Sequence, residues 1–173
     1  MDKTPKMSEK RTAREAILEA FRDIVLERGY HGMRVLDVVE RSGVARSTFY
    51  EHFQSREDLL LDSMRAPMEL LSQLAGSTPD LQKAVLVLEH FGQNRSLARS
   101  LLDGESASVV RALLSQLIVQ AAPQSPGIAQ AVAGAQLGVI GAWLDGTDRR
   151  SANEIAQTLR EITTALTGRR APR

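Results

Sequence analysis

The sequence predicts an all-α protein of about nine helices, with a three-helix N-terminal head and a larger helical-bundle body. Apolar residues recur at intervals of three and four along most of the 173 residues, which is the spacing of one buried helix face. Capping residues, glycines and prolines separate these segments, as expected at helix ends. Two short apolar segments between Val35 and Phe53 are joined by a glycine. We expect the head to cover residues 1–54 and the body residues 55–173.

Charge and composition exclude several classes of protein. The chain has a net charge of +1, from 22 lysines and arginines against 21 aspartates and glutamates. The first 66 residues hold twelve charges of each sign, so charge alone does not favour nucleic-acid binding by the head. The absence of cysteine excludes disulfides, a thiolate nucleophile and a cysteine-based zinc site. His31, His52 and His90 are isolated from other metal-type ligands, so we expect no metal and no cofactor.

Membrane and secretion signals are not apparent in the sequence. No uninterrupted apolar run approaches the roughly 18 residues of a membrane span. The first residues, MDKTPKMSEKR, lack the apolar core of a signal peptide. We therefore expect a soluble cytoplasmic protein with no membrane partner. Lys3, Lys6 and Lys10 could form an arm that reaches nucleic acid, or a solvated tail.

The first helix has clear end signals. Thr12 and Glu15 fit a capping box at its start. Gly29 fits a C-terminal cap. Between these ends, residues at intervals of three and four form a core-facing stripe: Ile17, Ala20, Phe21, Ile24 and Val25.

Two short helices follow, joined by a tight turn at Gly43. Glycine adopts a positive φ without a Cβ clash, as this turn requires. The first of the two has an apolar side between Val35 and Val39, and the second turns Phe49 inward. The second helix leaves five side chains available outward: Arg46, Ser47, Thr48, Tyr50 and His52. A short helix, a glycine turn and a second helix that displays donors and aromatic rings describe a helix-turn-helix.

These residues resemble the DNA-binding signature of the TetR family of transcriptional regulators. The matching positions are Gly43-Val44-Ala45, Thr48-Phe49-Tyr50, His52-Phe53, Arg56 and Leu59-Leu60. The resemblance runs from about Ile17 to Leu60, and beyond that it depends on helix count and order. It implies a regulator, not an enzyme, that binds a double-stranded DNA operator as a homodimer and responds to a small-molecule inducer.

The resemblance assigns DNA contacts to the second short helix, which is the recognition helix of such motifs. Arg46 lies near the end that meets base edges, where it could bind a guanine or a phosphate. Ser47 and Thr48 are short donors suited to phosphate. Tyr50 and His52 match family positions whose side chains donate to phosphate, and a packing role is the alternative for both.

The flanks of the recognition helix depart from the family in two places. Arg34 stands where Thr or Ser is usual, so a cap typically worth about 1 kcal/mol is lost, although the guanidinium could bind phosphate. Ala45 stands where Ser is common, which removes a hydroxyl from the start of that helix. Ser55 fits a cap for the fourth helix. Arg56, beside the free amides of that helix, is the best single phosphate clamp in the sequence.

The fourth helix links head to body, and Pro67 should kink or break it. Thr78-Pro79 predicts the start of the fifth helix. Short sixth and longer seventh helices are predicted at Arg95 to Leu102 and at Glu105 to Ala121. Few aromatic residues are available for stacking, which favours an aliphatic or mixed ligand. Candidate ligand contacts, each of which could instead be plain core, are Met64, Met68, Phe91, Leu117 and Gln136.

The last two helices resemble the dimer interface of the family, a four-helix bundle with two helices from each chain. Glycine inside a helix costs up to about 1 kcal/mol relative to alanine, so a seam of glycines indicates close approach by another helix. The alternative is that both faces are buried inside one chain. The interface candidates are Ala131, Gly134, Gly138 and Gly141 on the eighth helix and Ile155, Leu159, Ile162 and Leu166 on the ninth.

The sequence therefore predicts a repressor that releases its operator when an inducer binds the body. Other classes fit less well. An enzyme would need convergent acid, base or metal groups, and none is apparent. A membrane-surface helix would need a basic amphipathic face, and the first helix is too evenly charged. A helical protein that binds another protein instead of DNA stays open because the head is neutral.

Overall fold

The computed structural model describes residues 12–168, and this part of the chain forms nine α-helices and no strand. The predicted all-α fold is confirmed. The lysines near the N-terminus and the basic tail Arg169–Arg173 lie outside the described residues. The helices are α1 Ala13–Arg28, α2 Val35–Ser42, α3 Arg46–His52, α4 Arg56–Ser72, α5 Leu81–Gln93, α6 Arg95–Leu102, α7 Gly104–Ala121, α8 Pro126–Leu144 and α9 Ala152–Thr167, with a short 3-10 turn at Gln73–Ala75 after α4.

Most predicted helix starts are confirmed by hydrogen bonds. The Thr12 hydroxyl accepts from the amide of Glu15, and the Glu15 carboxylate accepts from the amide of Thr12. Ser125 caps α8, with Pro126 as the first helical residue. Ser151 caps α9. These side chains satisfy amide groups that a helix leaves without partners at its start.

One predicted helix start is wrong, and of the two outcomes predicted for Pro67, a kink or a break, the break does not occur. The fifth helix begins at Leu81, where Asp80 is the cap and accepts from the amide of Gln82 at 3.1 Å, so Thr78-Pro79 precedes the helix. The carboxylate of Asp80 satisfies the first turn, as a capping side chain does. Pro67 does not break α4, which continues to Ser72. Packing of that helix against α7 and α5 accounts for its continuity.

The core is continuous from head to body. In the head, α1 packs against α2 and α3, and it also packs against α6 of the body. In the body, α4 lies along α7, α7 along α8, and α8 along α9, while α9 returns to α5. The buried side chains of all these helices form one apolar cluster. Packed side chains therefore join the head to the body, in addition to α4.

The eighth helix, with 19 residues, is long and apolar enough for a membrane span by length and composition alone. A core helix of a helical bundle has the same composition. One face of α8 packs on α6, α7 and α9, with Val132, Gln136 and Ile140 buried. The apolar content of α8 is thus partly explained by packing inside the chain.

We predict that Gly43→Ala lowers the free energy of unfolding by about 1–2 kcal/mol. Gly43 ends α2 in the left-handed region, at φ 70° and ψ 13°. Within the residues that the structure describes, no atom beyond the chain neighbours lies within 4 Å of the position that a Cβ would take, so the cost is backbone strain and not a clash. Gly43→Asn is the matched control, because asparagine tolerates this region better. Urea denaturation of both variants measures the effect, and equal stabilities of the two would contradict it.

Candidate nucleic-acid interface

The helix α3 presents its polar side to solvent. Phe49 is fully buried, and Phe53, which follows the helix, is also buried. Arg46, Ser47, Tyr50 and His52 are exposed, and Thr48 is half-buried. The predicted inward direction of Phe49 is therefore confirmed, and so is the exposure of the outward side chains apart from Thr48. Ala45 precedes α3 without a side-chain cap, so the amides at the start of α3 have no hydroxyl partner from that residue.

Arg46 is distinguished by what surrounds it. It is the first residue of α3, and its guanidinium carbon lies 5.6 Å from the centre of the Tyr50 ring, within cation–π range. Within residues 12–168, no carboxylate forms an ion pair with Arg46. An exposed, unpaired guanidinium held over a ring at the start of a helix is suited to an anionic or base-edge partner.

The neighbouring arginines of the head are neutralised by carboxylates. Arg34 donates to Asp37 at 2.9 Å, and Arg41 donates to Glu27 at 2.6 Å. The hydrogen bond from Arg34 lowers the pKa of Asp37, and the hydrogen bond from Arg41 lowers the pKa of Glu27. Both carboxylates therefore stay ionised to lower pH than usual, and their pairing is lost only as the pH falls through the lowered values. The positive charge of the head is therefore distributed unevenly, because Arg34 and Arg41 are paired with carboxylates and Arg46 is not.

Asp37 also replaces part of the missing cap. Its carboxylate accepts from the backbone amide of Arg34 at 3.1 Å, as the third residue of a capping box does. The Arg34 side chain, 75% exposed, forms no cap itself. The Arg34 guanidinium is bonded to Asp37, so it could contact a phosphate only while it also keeps this carboxylate as a partner.

Arg56 is held by the body. Its guanidinium donates to both carboxylate oxygens of Glu105 on α7, at 3.0 and 3.2 Å, and to the carbonyl of His31 at 3.4 Å. It also lies 5.2 Å from the centre of the Tyr30 ring. Ser55 caps α4 through the amide of Asp58, as predicted. The predicted phosphate clamp therefore has an internal competitor, Glu105, that the local sequence does not reveal.

One face of α8 is open on the single chain. Among residues 12–168, and apart from the backbone of α8 itself, no atom lies within 4 Å of where a Cβ would stand on Gly138 or Gly141, and at Gly134 only the Arg111 side chain does, at 3.9 Å. Packing inside the chain therefore does not require these glycines. Ala131 and Gly138 are exposed.

The predicted stripe on α9 is divided. Ile155 and Leu159 are fully buried within the chain, so their assignment to a dimer interface is wrong. The physical reason is that α9 packs against α5 and α8 of its own chain. Ile162 is half-buried, and Leu166 is 40% exposed. Only the latter part of the stripe is available to another molecule.

A cavity of about 400 Å³ lies between α1, α4, α5 and α6. Met64 and Phe91 line it, as expected for ligand contacts. Met68, Leu117 and Gln136 do not line it, which corrects their assignment, because they are buried in the packed core. Gln136 donates to the Thr163 hydroxyl at 2.8 Å, while its Oε1 has no partner. The polar residues at the cavity were not predicted from the sequence, because they lie on segments that are far apart along the chain: Arg14, Arg22, Asp62, His90 and Asn94.

Comparison with known proteins connects this geometry to a family. The sequence pattern described as "Bacterial regulatory proteins, tetR family" matches residues 17–62. An uncharacterised HTH-type transcriptional regulator YxbF of Bacillus subtilis is 32% identical over 84 residues, which are 43% of this chain and 22% of that protein. The dhaKLM operon transcriptional activator DhaS of Lactococcus lactis is 39% identical over 44 residues, 25% of this chain and 24% of that protein. The matches thus span less than a third of these curated relatives.

The likeness in structure extends over the whole fold. A TetR-family regulator from Streptomyces coelicolor A3 superposes with a TM-score of 0.69, at 16% identity, over 96% of this chain and 99% of that one. At this identity the comparison establishes the fold. The head thus matches in sequence, and the body matches in architecture.

Proposed function

We propose, from this chain's membership of the TetR family of transcriptional regulators, that it represses transcription by binding a pseudo-palindromic operator as a dimer. A small molecule that binds the helical body then releases it from DNA. It is not an enzyme. Release requires only that the molecule bind the low-affinity state a few kcal/mol more tightly than the DNA-bound state.

The observation that carries this proposal is the unpaired Arg46 at the exposed start of α3. In helix-turn-helix proteins the N-terminal residues of the second helix contact base edges in the major groove. Arginine binds guanine O6 and N7 with two hydrogen bonds. The pairing of Arg34 and Arg41 with carboxylates leaves Arg46 as the strongest attraction for DNA on this surface. It also explains how the first 66 residues, whose net charge is zero, can bind DNA.

The remaining contacts follow from exposure. Ser47 and Tyr50 are exposed donors beside Arg46, and Thr48 and His52 flank them. Short hydroxyl groups and the tyrosine phenol are suited to phosphate oxygens, which fix the register of a helix in the groove. We assign base reading to Arg46 and backbone contacts to these four.

The open face of α8 supports a dimer. Glycines that nothing in the chain requires, on a helix where each costs up to about 1 kcal/mol, are explained by close approach of a second chain. A two-fold axis brings the same face of α8 from both chains together. Two copies of α3 about 34–36 Å apart would then meet successive major grooves.

Repression is the finer part of the proposal. DhaS, which is 39% identical to this chain over 44 residues, is a transcriptional activator. The direction of control depends on where the operator lies relative to the promoter. A protein partner in place of DNA remains the alternative, and the neutral head was its main support.

The test is a fluorescence-anisotropy titration with DNA from the region upstream of this protein's own gene. We expect saturable binding that Arg46→Ala weakens by about 1–3 kcal/mol, the value of one bidentate base contact. The control is Arg99→Ala on α6, which removes an arginine paired with Asp145 at 2.8 Å in the body. If the folded protein binds no fragment of the region, or if both variants bind alike, the proposal is overturned.

A separate prediction concerns Arg56. Arg56→Ala should weaken DNA binding and reduce the salt slope by about one unit, because one phosphate contact is lost. Glu105→Gln should instead strengthen binding, since the competing carboxylate 3.0 Å from Arg56 is neutralised. Titrations at several salt concentrations measure both slopes. An unchanged slope for Arg56→Ala would remove this residue from the set of contacts.

A further inference from the structure

We propose that the cavity between α1 and the helices α4, α5 and α6 is the effector site, and that it takes a small amphipathic carboxylate with an aliphatic tail. This inference deepens the proposed function, since it names the site and the chemical class of the inducer. It places the ligand at the junction of head and body and not at the centre of the bundle.

The volume and lining define the apolar part of such a ligand. The cavity measures about 400 Å³, which at roughly 30 Å³ per water-sized group accommodates about a dozen non-hydrogen atoms. Small-molecule sites in proteins start at about 300 Å³ and are mainly apolar with a few polar groups. The apolar lining comes from all four helices: Leu18, Phe21, Met64, Pro67, Phe91 and Leu101.

The charges at the cavity define the polar end of the ligand. Arg14 and Arg22 on α1 line it, together with Asp62 on α4 and His90 on α5. Arg14 donates to Asp62 at 2.6 Å, but the pair is 49% and 31% exposed, so opening it costs little. Arg22 is also paired, with Asp23 at 3.3 Å, but Asp23 does not line the cavity and this pair is 52% and 42% exposed, so it too opens at little cost. Two guanidinium groups against one lining carboxylate therefore favour an anion. A carboxylate accepts two hydrogen bonds from one guanidinium, which gives it an advantage over a neutral ligand.

The position of the cavity connects ligand binding to the head. The residues of α1 that line it, from Arg14 to Arg22, belong to the first half of that helix. Just beyond the other end of α1, the amide of Tyr30 donates to the Ser100 hydroxyl at 3.3 Å, and Arg56 donates to the carbonyl of His31 at 3.4 Å. A ligand that separates α1 from α4 at the cavity would therefore tilt α1 about these contacts. Because α3 packs on α1, the recognition helix moves with it.

The helix α4 is weakened at the same place. Pro67 has no amide hydrogen, so the carbonyl of Ser63 lacks its helical partner, and both residues line the cavity. A helix bends most easily where its hydrogen-bond ladder is interrupted. The head and the body thus meet at a point where the connecting helix can yield to an inserted ligand.

The test uses decanoate, whose roughly twelve non-hydrogen atoms match the volume, and decanamide as a neutral ligand of the same length. Calorimetric titration of the full chain without DNA should show saturable binding of decanoate, about tenfold tighter than that of decanamide. The double variant Arg14→Gln, Arg22→Gln should remove this preference. Leu97→Trp, which fills the cavity, should abolish binding of both, whereas Leu86→Trp on the exposed side of α5 should not.

The results separate this inference from the proposed function, because ligand binding is measured without DNA. The assignment of the effector site is wrong if decanoate does not bind, or if it binds no tighter than decanamide. It is also wrong if decanoate binds the Leu97→Trp variant as tightly as wild type. Each of these results holds independently of the DNA titration. If Leu97→Trp fails to fold, the arginine double variant decides alone. With DNA present, decanoate should weaken operator binding by wild-type protein and not by the double variant, and equal effects on both would also overturn the site.

Discussion

Gly138→Arg is expected to convert the dimer to a monomer and to lower operator affinity by about a hundredfold or more. In the described part of the chain, no neighbour outside α8 lies within 4 Å of the position of a Cβ at residue 138, and Gly138 is exposed, so an arginine can extend into solvent there. In a two-fold pair of α8 helices, the same side chain meets its own copy, which introduces both bulk and like charge. A monomer then binds one half-site and loses the gain from joining two binding events.

The same variant should leave the fold of each chain intact. Removal of a glycine from a helix interior even stabilises the helix, by up to about 1 kcal/mol. Analytical ultracentrifugation gives the oligomeric state, and thermal unfolding gives the stability at matched concentration. Gln93→Arg, at the exposed end of α5, is the control for the added charge. A Gly138→Arg protein that remains dimeric and binds DNA normally would place the dimer interface elsewhere.

Phe49→Ala is expected to lower the free energy of unfolding by about 3–5 kcal/mol, a large part of the stability of a domain of this size. The Phe49 ring is fully buried, and it lies 5.3 Å from the Tyr50 ring and 6.1 Å from the Phe53 ring, measured between ring centres. A seven-residue helix is too short to be stable by itself, so α3 depends on this anchor. DNA binding should be lost together with the structure of the head.

Tyr50→Phe is the matched variant, one residue along the same helix. Tyr50 is 39% exposed, and the substitution removes only its hydroxyl group. We expect an unchanged free energy of unfolding and DNA binding weaker by about 0.5–1.5 kcal/mol, the value of one hydrogen bond. Urea denaturation and anisotropy titration on both variants separate the structural role from the binding role. Equal stability of Phe49→Ala and wild type would contradict the assignment of Phe49 to the core.

Features set by residues close in sequence could be predicted. The cap at Thr12, the left-handed turn at Gly43 and the inward direction of Phe49 each depend on a few neighbouring residues. Local spacing decides such features because a helix repeats every 3.6 residues. The position of α3 and its buried face could therefore be predicted from the local sequence.

Features set by distant residues could not be predicted. Arg56 and Glu105 are 49 residues apart, so nothing near Arg56 indicates that a carboxylate competes for it. The apolar stripe on α9 showed that one face is covered, but not whether its own chain or a partner covers it. Ile155 and Leu159 turned out to face their own chain. The cavity depends on four helices at once, and its charged residues lie on separate segments.

Hydroxyl-radical footprinting of the operator tests the central claim most directly, namely that two copies of α3 bind one duplex in successive major grooves. We expect two protected patches related by a pseudo-two-fold axis, with centres about 10–10.5 base pairs apart. At a protein concentration at which the wild type just protects the operator, Arg46→Ala should weaken both patches together. A single protected patch, or protection that Arg46→Ala leaves unchanged, would contradict the claim.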